Sequence, residues 1–491
     1  MHFYELQDEL EDQLERDKIS FTFQSFGRYQ DKSENLKNKN RLQIKNNTFD
    51  LKIIQEYNST TGNSEMPLGA SLFIKTTKTD ELIMGTYQIR QGYGLLQNSR
   101  SFISEKPNFT SNFSENRPAI TANARPYFSH SFFGVAYKKS LSNTLNVYAF
   151  GSHKDVGAKI SDGKVTTLDL AEPNPDNTII QSMGGSILSF QKNNLNISGM
   201  VNYFYTEIPY QEKPITSSLA FSFLLKNYMF FGESAYINET FAHLYGVKNS
   251  FQRFTQILSY RRIDENYHSE YANFMSNSSN QTNEEGLFYK IEYRNSGFFM
   301  QTFADVFDNI KNQERYINKN IGSNVGLKIE QKIEDMIFGV SMRQKKDKEW
   351  RNLSGITRYE NRKRDYLKLA WTQLNISTFT TKLTFDFQQR EYPDYDLIND
   401  GYALSQSINM SFSSYAFAFI LGTFETEIPL YLYLYNGRLN NPLIVLSDEG
   451  QYVMFYGRNT ISKMWEIELM SYYLNKEKPE YTFSAMVMCR F

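Results

Sequence analysis

Apolar and polar residues alternate one by one through short segments along most of this chain. The segments Lys382–Gln388, Asp365–Thr372 and Leu287–Arg294 each place their large apolar side chains at every second position. A helix would space its apolar residues three and four positions apart, so a period of two predicts β-strands. No run approaches the roughly 18 consecutive apolar residues that a membrane-spanning helix needs.

The connections between these segments alternate in length. Short turns are expected at Asn295–Gly297, Glu334–Asp335, Asn375 and Ser413–Ser414, and long polar connections at Asn309–Asn320, Lys345–Arg364 and Glu391–Gly401. Outer-membrane barrels combine tight periplasmic turns with long outer loops in this way. The sequence therefore predicts an all-β fold, a large antiparallel transmembrane β-barrel of about 22–26 strands over residues 17–491. Only Glu425–Gln451 interrupts the alternation of connection lengths.

The composition agrees with long strands in a single closed sheet. Phe, Tyr and Trp make up 15% of the 491 residues, and there are only 12 prolines. Aromatic residues favour strands, whereas proline interrupts their hydrogen bonding. The alternative is a series of soluble β-rich domains, but the chain shows no linkers between such domains. The 53 basic and 54 acidic residues balance, so no overall charge favours nucleic-acid binding.

The last eleven residues form the most regular of these segments. Tyr481, Phe483 and Phe491 share one face with smaller apolar residues, and the chain closes on an aromatic side chain. This stretch resembles the carboxy-terminal β-signal by which the insertion machinery captures outer-membrane barrels. It implies two partners, the barrel-insertion machinery and the lipid of the Gram-negative outer membrane.

The first sixteen residues have a different pattern. Leu6, Leu10 and Leu14 repeat at intervals of four among acidic residues, which predicts a short amphipathic helix over residues 1–16, on the periplasmic side. A secretory signal would need a basic start and an apolar core, which these residues lack. We expect the signal peptide to be missing from this sequence because the chain is truncated.

Charged side chains occupy the faces opposite the apolar ones and are expected to line the lumen. The candidates for this lining are Lys290, Glu292, Lys328, Glu330, Lys368 and Asp386. Both signs of charge occur, so no preference for anions or cations follows. Residues 97–125 are too long for a turn and form either a long loop or a partial plug of the lumen.

Several stretches do more than alternate. Gly85–Leu96 contains Gly92-Tyr-Gly94, and Phe231–Glu233 is followed by Ala242–Gly246. Further on come Leu258–Arg261 with Tyr267 and Tyr271, Asn283–Phe288, and Phe303–Asp308. Together these stretches resemble the barrel region of a family of large Gram-negative envelope proteins that carry competence-type helix-hairpin-helix repeats. The positions that match the family's motifs are Gly92, Gly94, Gly232, Glu233, Asn283, Glu284, Gly286 and Asp305.

The chain departs from this family in two ways. The helix-hairpin-helix region is absent, and the family's Gly-Gln-Gly element is altered to Gly92-Tyr-Gly94. A role with nucleic acid is therefore unsupported by this chain. The resemblance implies no chemistry for the barrel region, and we expect neither a cofactor nor a metal.

The candidate sites each have a plainer explanation. Gly92 and Gly94 lack the following helix of a phosphate-binding loop and are better explained by a bend at a strand end. Asn283 and Glu284 could bind a ligand at the rim, but a loop junction bonded to local backbone is favoured. Asp305 with Asp308, and Glu233, could offer oxygen ligands to calcium, but they do not have the spacing of a calcium loop.

Nothing in the sequence favours an enzyme. His130 and Ser131 are neighbours, but adjacent residues on a strand point to opposite faces. No nucleophile elbow and no zinc-binding histidine pair occur. The sequence predicts a pore or a transport component; the alternatives are a barrel scaffold that binds periplasmic or surface partner proteins in a surface, secretion or DNA-uptake complex and, less favoured, a surface hydrolase.

Overall fold

The computed structural model describes most of the chain after its first eighteen residues. The described ranges are 19–31, 35–58, 68–98, 118–124, 131–161, 164–169, 178–208, 215–276, 283–310, 321–353, 356–375, 378–433, 443–476 and 479–491. The helix predicted for residues 1–16 lies outside them. Within them, no helix is both long enough and apolar enough to cross a membrane.

The described residues form 26 strands in one antiparallel sheet. The strands are β1 (Ser20–Gln30), β2 (Asn35–Lys45), β3 (Phe49–Asn58), β4 (Leu68–Lys75), β5 (Glu81–Arg90), β6 (Ala119–Ala122), β7 (Ser131–Ser140), β8 (Leu145–Ser161), β9 (Lys164–Asp169), β10 (Thr178–Lys192), β11 (Leu195–Thr206), β12 (Ile215–Leu225), β13 (Tyr228–Ile237), β14 (Thr240–Phe251), β15 (Phe254–Ile263), β16 (Glu284–Asn295), β17 (Phe298–Asp308), β18 (Gly322–Ile333), β19 (Met336–Leu353), β20 (Ile356–Asn375), β21 (Phe379–Tyr392), β22 (Leu397–Ser411), β23 (Tyr415–Tyr433), β24 (Leu443–Thr460), β25 (Trp465–Asn475) and β26 (Glu480–Arg490).

The sheet closes on itself, because β1 pairs with β2 on one side and with β26 on the other. The closing register runs from Thr22 opposite Arg490 to Gln30 opposite Thr482. Two short strands stand outside the ring: β6 pairs with β5, and β9 pairs with β8. Removing these two from the 26 strands leaves 24 in the ring, which confirms the predicted barrel and its size. Closure pairs the backbone N–H and C=O groups of the first and last strands with each other, as a barrel in lipid requires.

The alternation in the sequence separates the two faces of the wall. On β12, Ile215 and Leu219 are exposed, whereas Thr216 and Ser218 between them are buried. Exposed large apolar side chains recur in the same alternation around the ring and form its outer surface. This is the outward apolar band of the outer-membrane type of barrel, and it identifies the opposite face as the lumen.

The two ends of the barrel differ in the length of their connections. At the end where β1 begins and β26 finishes, which we call the turn end, connections such as 193–194, 226–227 and 334–335 have two residues. The predicted turns at Asn295–Gly297 and Ser413–Ser414 lie there too. The other end, the loop end, carries the longest connections, such as 264–283 and 309–321, although the turn at 238–239 there also has two residues. Short turns mark the periplasmic side of such barrels.

Two predicted loops were wrong. Lys345–Arg364 is largely strand, since β19 continues to Leu353 and pairs there with Ile356 of β20. Glu391–Gly401 contains one turn of 3-10 helix, Pro393–Tyr395, between the two strands. Beyond the apolar band both faces of a strand meet water, so the sequence loses its alternation although the strand continues.

The segment 97–125 is described only in part. Gln97 and Asn98 are buried, and Ala119–Ala122 forms β6 against β5. The residues between them, 99–117, lie outside the described ranges. The described part therefore includes a strand that the sequence did not predict, and it begins inside the lumen.

Candidate functional site

After β5 the chain turns into the lumen. Gln91 is buried between β11 and β12, where its Nε2 donates to the Ser198 carbonyl oxygen at 3.3 Å. Ser218 Oγ donates to Gln91 Oε1 at 2.6 Å. We call residues 91–98 the inner segment. From the end of β5 it crosses the lumen to β11, β12 and β13.

Glu233 on the lumen face of β13 anchors the inner segment. Its Oε2 accepts hydrogen bonds from the backbone N–H of Tyr93 and, at 3.2 Å, from that of Leu95. Gly92 lies directly over this carboxyl, because a Cβ at that position would come within 2.2 Å of Glu233 Cδ. These backbone N–H groups satisfy Oε2 of the buried carboxyl, so Glu233 fixes the position of the segment.

A second segment, residues 264–276, packs against the inner segment. The N–H of Asn273 donates to the Gly94 carbonyl at 3.0 Å, and the N–H of Asn98 donates to the Tyr271 carbonyl at 3.0 Å. Gly94 has a φ of +97°, and a Cβ there would meet the Asn273 carbonyl oxygen at 2.3 Å. The two segments are therefore joined through their backbones at a place that excludes larger residues.

Side chains of the second segment complete the contact. Tyr267 Oη donates to the Leu95 carbonyl at 2.6 Å, and Ser269 Oγ donates to that of Leu96 at 2.8 Å. Burial raises the pKa of Tyr267 well above its usual range, so its hydroxyl stays a donor. Burial also raises the pKa of Tyr271. We call these two segments together the plug.

An ion cluster lies in the wall beside the plug. Arg261 of β15 donates from Nε to Glu284 and from Nη1 to Asp305 Oδ1 at 2.8 Å. Ser276 Oγ donates to Glu284 Oε2 at 2.8 Å. The guanidinium lies over Gly286, where a Cβ would come within 2.6 Å of Arg261 Cζ. All three charged side chains are buried, so each depends on the others for its stability.

The family-motif positions converge on this region. Gly92, Gly94 and Glu233 hold the inner segment, while Glu284, Gly286 and Asp305 surround Arg261. Asn283 has a φ of +52°, and its N–H donates to the Asp264 carbonyl at 3.1 Å. Gly232 faces outward, where a Cβ would meet the ring of Tyr245 at 2.4 Å. The side chain of Glu284 pairs with Arg261 of the neighbouring strand β15. From the sequence, a loop junction whose side chains bond to the local backbone was favoured instead.

Apolar side chains fill the space around the plug. They come from the plug and from the lumen faces of the adjoining strands, and they include Tyr87, Leu95, Phe132, Phe150, Phe231, Tyr267, Phe274 and Phe288. Burial of such side chains stabilises the folded chain by about 1.5–3 kcal/mol each. The plug is thus packed like a protein core on one side of the lumen.

The predicted lumen-lining residues all lie on the inward face but differ in exposure. Lys290 of β16 has 1% of its side chain exposed, and Glu292 has 15%. Further around the ring, Glu330 is 41% exposed and Lys368 is 46% exposed. These two form ion pairs at 2.8 Å, Glu330 with Lys328 and Lys368 with Asp386. Solvent therefore reaches the lumen face of β18–β21, whereas Lys290 on β16 is closed off.

Sequence reasoning missed Arg261 and the partners of the plug. Arg261, Tyr267 and Tyr271 stand in the family-like stretches, but nothing in the sequence set the two tyrosines against residues some 170 positions away. A usable signal was Arg261 itself, a cation on the inward face that lies opposite Gly286. His130 lies outside the described residues, and no group of metal-binding side chains occurs within them.

Comparisons with known proteins find no match by sequence and find solved structures of low sequence identity. No protein-family model and no curated protein sequence matches the chain. Among solved structures, the copper transporter OprC is 7% identical over 96% of this chain and 81% of its own, with a TM-score of 0.49. The FrpB iron transporter from Neisseria meningitidis is 9% identical, over 98% of this chain and 84% of its own, with a TM-score of 0.46. The translocation pore of the P pilus usher PapC is 9% identical, over 96% and 99%, with a TM-score of 0.39.

Proposed function

We propose that this barrel is a pore or transport component of the Gram-negative outer membrane, narrowed on one side by its plug. The observation that carries the proposal is the exposure of Glu330 and Lys368 on the inward face. A charged side chain nearly half exposed inside a closed ring needs water around it. A water-filled passage therefore follows the lumen face of β18–β21.

The charges along this passage are paired. Lys328 faces Glu330 and Lys368 faces Asp386 at hydrogen-bonding distance. Neighbouring opposite charges largely cancel each other's field, so the middle of the passage should select weakly between anions and cations. The plug, anchored through Glu233 and Arg261, sets the width.

The proposed partners follow from the outer surface and the last strand. The apolar band meets outer-membrane lipid, and Tyr481 and Phe483 of β26 are exposed on it. The backbone of Phe491 pairs with that of Phe21 at 2.8 and 3.0 Å, which joins the last residue to the first strand. This supports β26 as the element that the insertion machinery recognises. The resemblance to the helix-hairpin-helix family stays a prediction.

Planar-bilayer recording of the purified protein tests this proposal. The wild type should show steady conductance, and Gly92→Ala should increase it because the new Cβ would displace the inner segment from Glu233. Gly297→Ala is the matched control, since Gly297 also has a positive φ, +85°, but lies in a turn between β16 and β17.

Folding of each variant is checked by its heat-dependent mobility on a denaturing gel. A silent wild type together with a silent Gly92→Ala variant would exclude the pore. Equal conductance of Gly92→Ala and the wild type would exclude the plug as the element that sets the width.

A further inference from the structure

Basic side chains gather on the lumen face at the loop end of β19–β21. Lys345 and Asp347 of β19 lie opposite Arg364 and Arg362 of β20, and Arg364 lies opposite Arg390 of β21. These five residues, which we call the mouth cluster, have the same inward orientation as Lys368 and Asp386 deeper in the lumen. On the outward face of the same rungs, charged residues replace the apolar band, so the cluster lies at the mouth of the passage.

Three of these cations share one carboxylate. Arg362 donates to Asp347 from Nε at 2.9 Å and from Nη2 at 3.0 Å. Arg364 Nη2 donates to Asp347 Oδ2 at 2.8 Å, and Lys345 Nζ lies 3.3 Å from the same oxygen. The four side chains are only 8–12% exposed. Asp347 can neutralise one of the three positive charges.

The surrounding strands do not remove the excess. Arg390 adds a fourth cation, which leaves a surplus of three over Asp347. Glu360, one rung further out on β20, and its register partner Glu349 on β19 lower the surplus by two, and Arg343, one rung further in on β19, brings it to two. Arg343 donates from Nε to Asn324, which is neutral, at 2.8 Å. Positive charge held this far from water requires a counter-charge.

Two guanidinium groups of the cluster have donors left over. The Nε atoms of Arg364 and Arg390 are buried and have no hydrogen-bond partner among the described residues. Guanidinium groups present their donors in a planar fork that fits the oxygens of phosphate and carboxylate. A phosphate group supplies up to about two negative charges and three acceptor oxygens, which matches the surplus better than one carboxylate does.

We propose that the mouth cluster binds a phosphate-bearing anion. Because the cluster faces the lumen, the anion is a solute that enters the passage, and not the phosphate of a lipid headgroup on the outer surface. This inference deepens the proposed function, on which it rests, by naming the class of solute that the mouth attracts. Binding at an electropositive mouth raises the local concentration of such solutes ahead of a passage that itself selects weakly.

Equilibrium calorimetry of the purified barrel in detergent, with sodium tripolyphosphate as the probe, tests the site. Wild-type protein should bind the probe, and Arg390→Gln should weaken the affinity about tenfold through loss of a charge-assisted contact. No ion pair joins Arg390 to another described residue, so this variant keeps the Asp347 network. Lys368→Gln is the control, because it removes one cation from the same inward face and should change the affinity by less than about twofold.

Three results would overturn the assignment. The first two are absence of binding by the wild type at millimolar probe and equal affinity of Arg390→Gln and the wild type for the probe. The third is displacement of the probe by lipopolysaccharide, which would make the lipid headgroup the ligand. Calorimetry does not require conduction. Binding by a protein that is silent in bilayers would therefore contradict the proposed function and leave this site standing.

Discussion

Two parts of the barrel wall share the same alternation of charged and apolar residues but differ in how far their inward side chains are exposed. On β13–β17 and on β18–β21, charged side chains alternate with apolar ones and point inward. On the first part Glu233, Arg261 and Lys290 are fully buried, whereas on the second Glu330 and Lys368 are nearly half exposed. The difference comes from the plug, which covers the first part only. Charge on the inner face of a barrel therefore indicates a lumen but does not show where water is.

The strongest way to test this contrast is to remove one cation from each part. Arg261→Met would leave Glu284 and Asp305 buried without a counter-charge, and we expect a loss of about 3–5 kcal/mol in stability. Lys368→Met breaks a solvent-exposed pair with Asp386 and should cost about 0–1 kcal/mol. Unfolding of both purified variants in denaturant gives the two values. Similar losses would mean that the two parts of the wall do not differ in burial.

A smaller effect is expected where the plug meets solvent. The hydrogen bond from His268 to Glu270, at 2.8 Å, raises the pKa of the histidine. A raised pKa in the folded state means that the contribution is complete below the unfolded pKa, near 6.5. It is lost as pH rises through the folded value.

Solvent limits the size of this effect, because the His268 side chain is 49% exposed. We expect the pair to contribute about 0.5 kcal/mol at most. Resistance of the plug to protease should fall slightly between about pH 6 and pH 8 in the wild type, and His268→Gln should abolish this dependence. A pH dependence that persists in His268→Gln would assign it to another group.

Much of the architecture could be predicted because each strand carries its own signal. Alternation on β12 or β26 is local, and it separates lipid from lumen without reference to any other strand. The extended hairpin of β19 and β20 was mistaken for a loop because both of its faces are polar beyond the apolar band. Alternation along the sequence cannot identify a strand where both faces of the strand meet the same environment.

The plug could not be predicted for a different reason. Glu233 accepts hydrogen bonds from residues about 140 positions earlier in the chain, and no local pattern encodes such a contact. Gly92 and Gly94 were predicted to form a bend at a strand end, and the structure adds that a Cβ at these positions would collide with Glu233 and Asn273. The sequence drew attention to these residues but did not identify the residues that they contact.

Thiol labelling tests most directly whether water follows β18–β21 and is excluded at β16. The one native cysteine, Cys489, is buried and is replaced by alanine as background. Lys368→Cys and Lys290→Cys are then treated with a small membrane-impermeant thiol reagent. We expect Lys368→Cys to react at least about tenfold faster, and Lys290→Cys to react fully only after denaturation. Equal rates, or protection of Lys368→Cys, would contradict a water-filled passage along β18–β21.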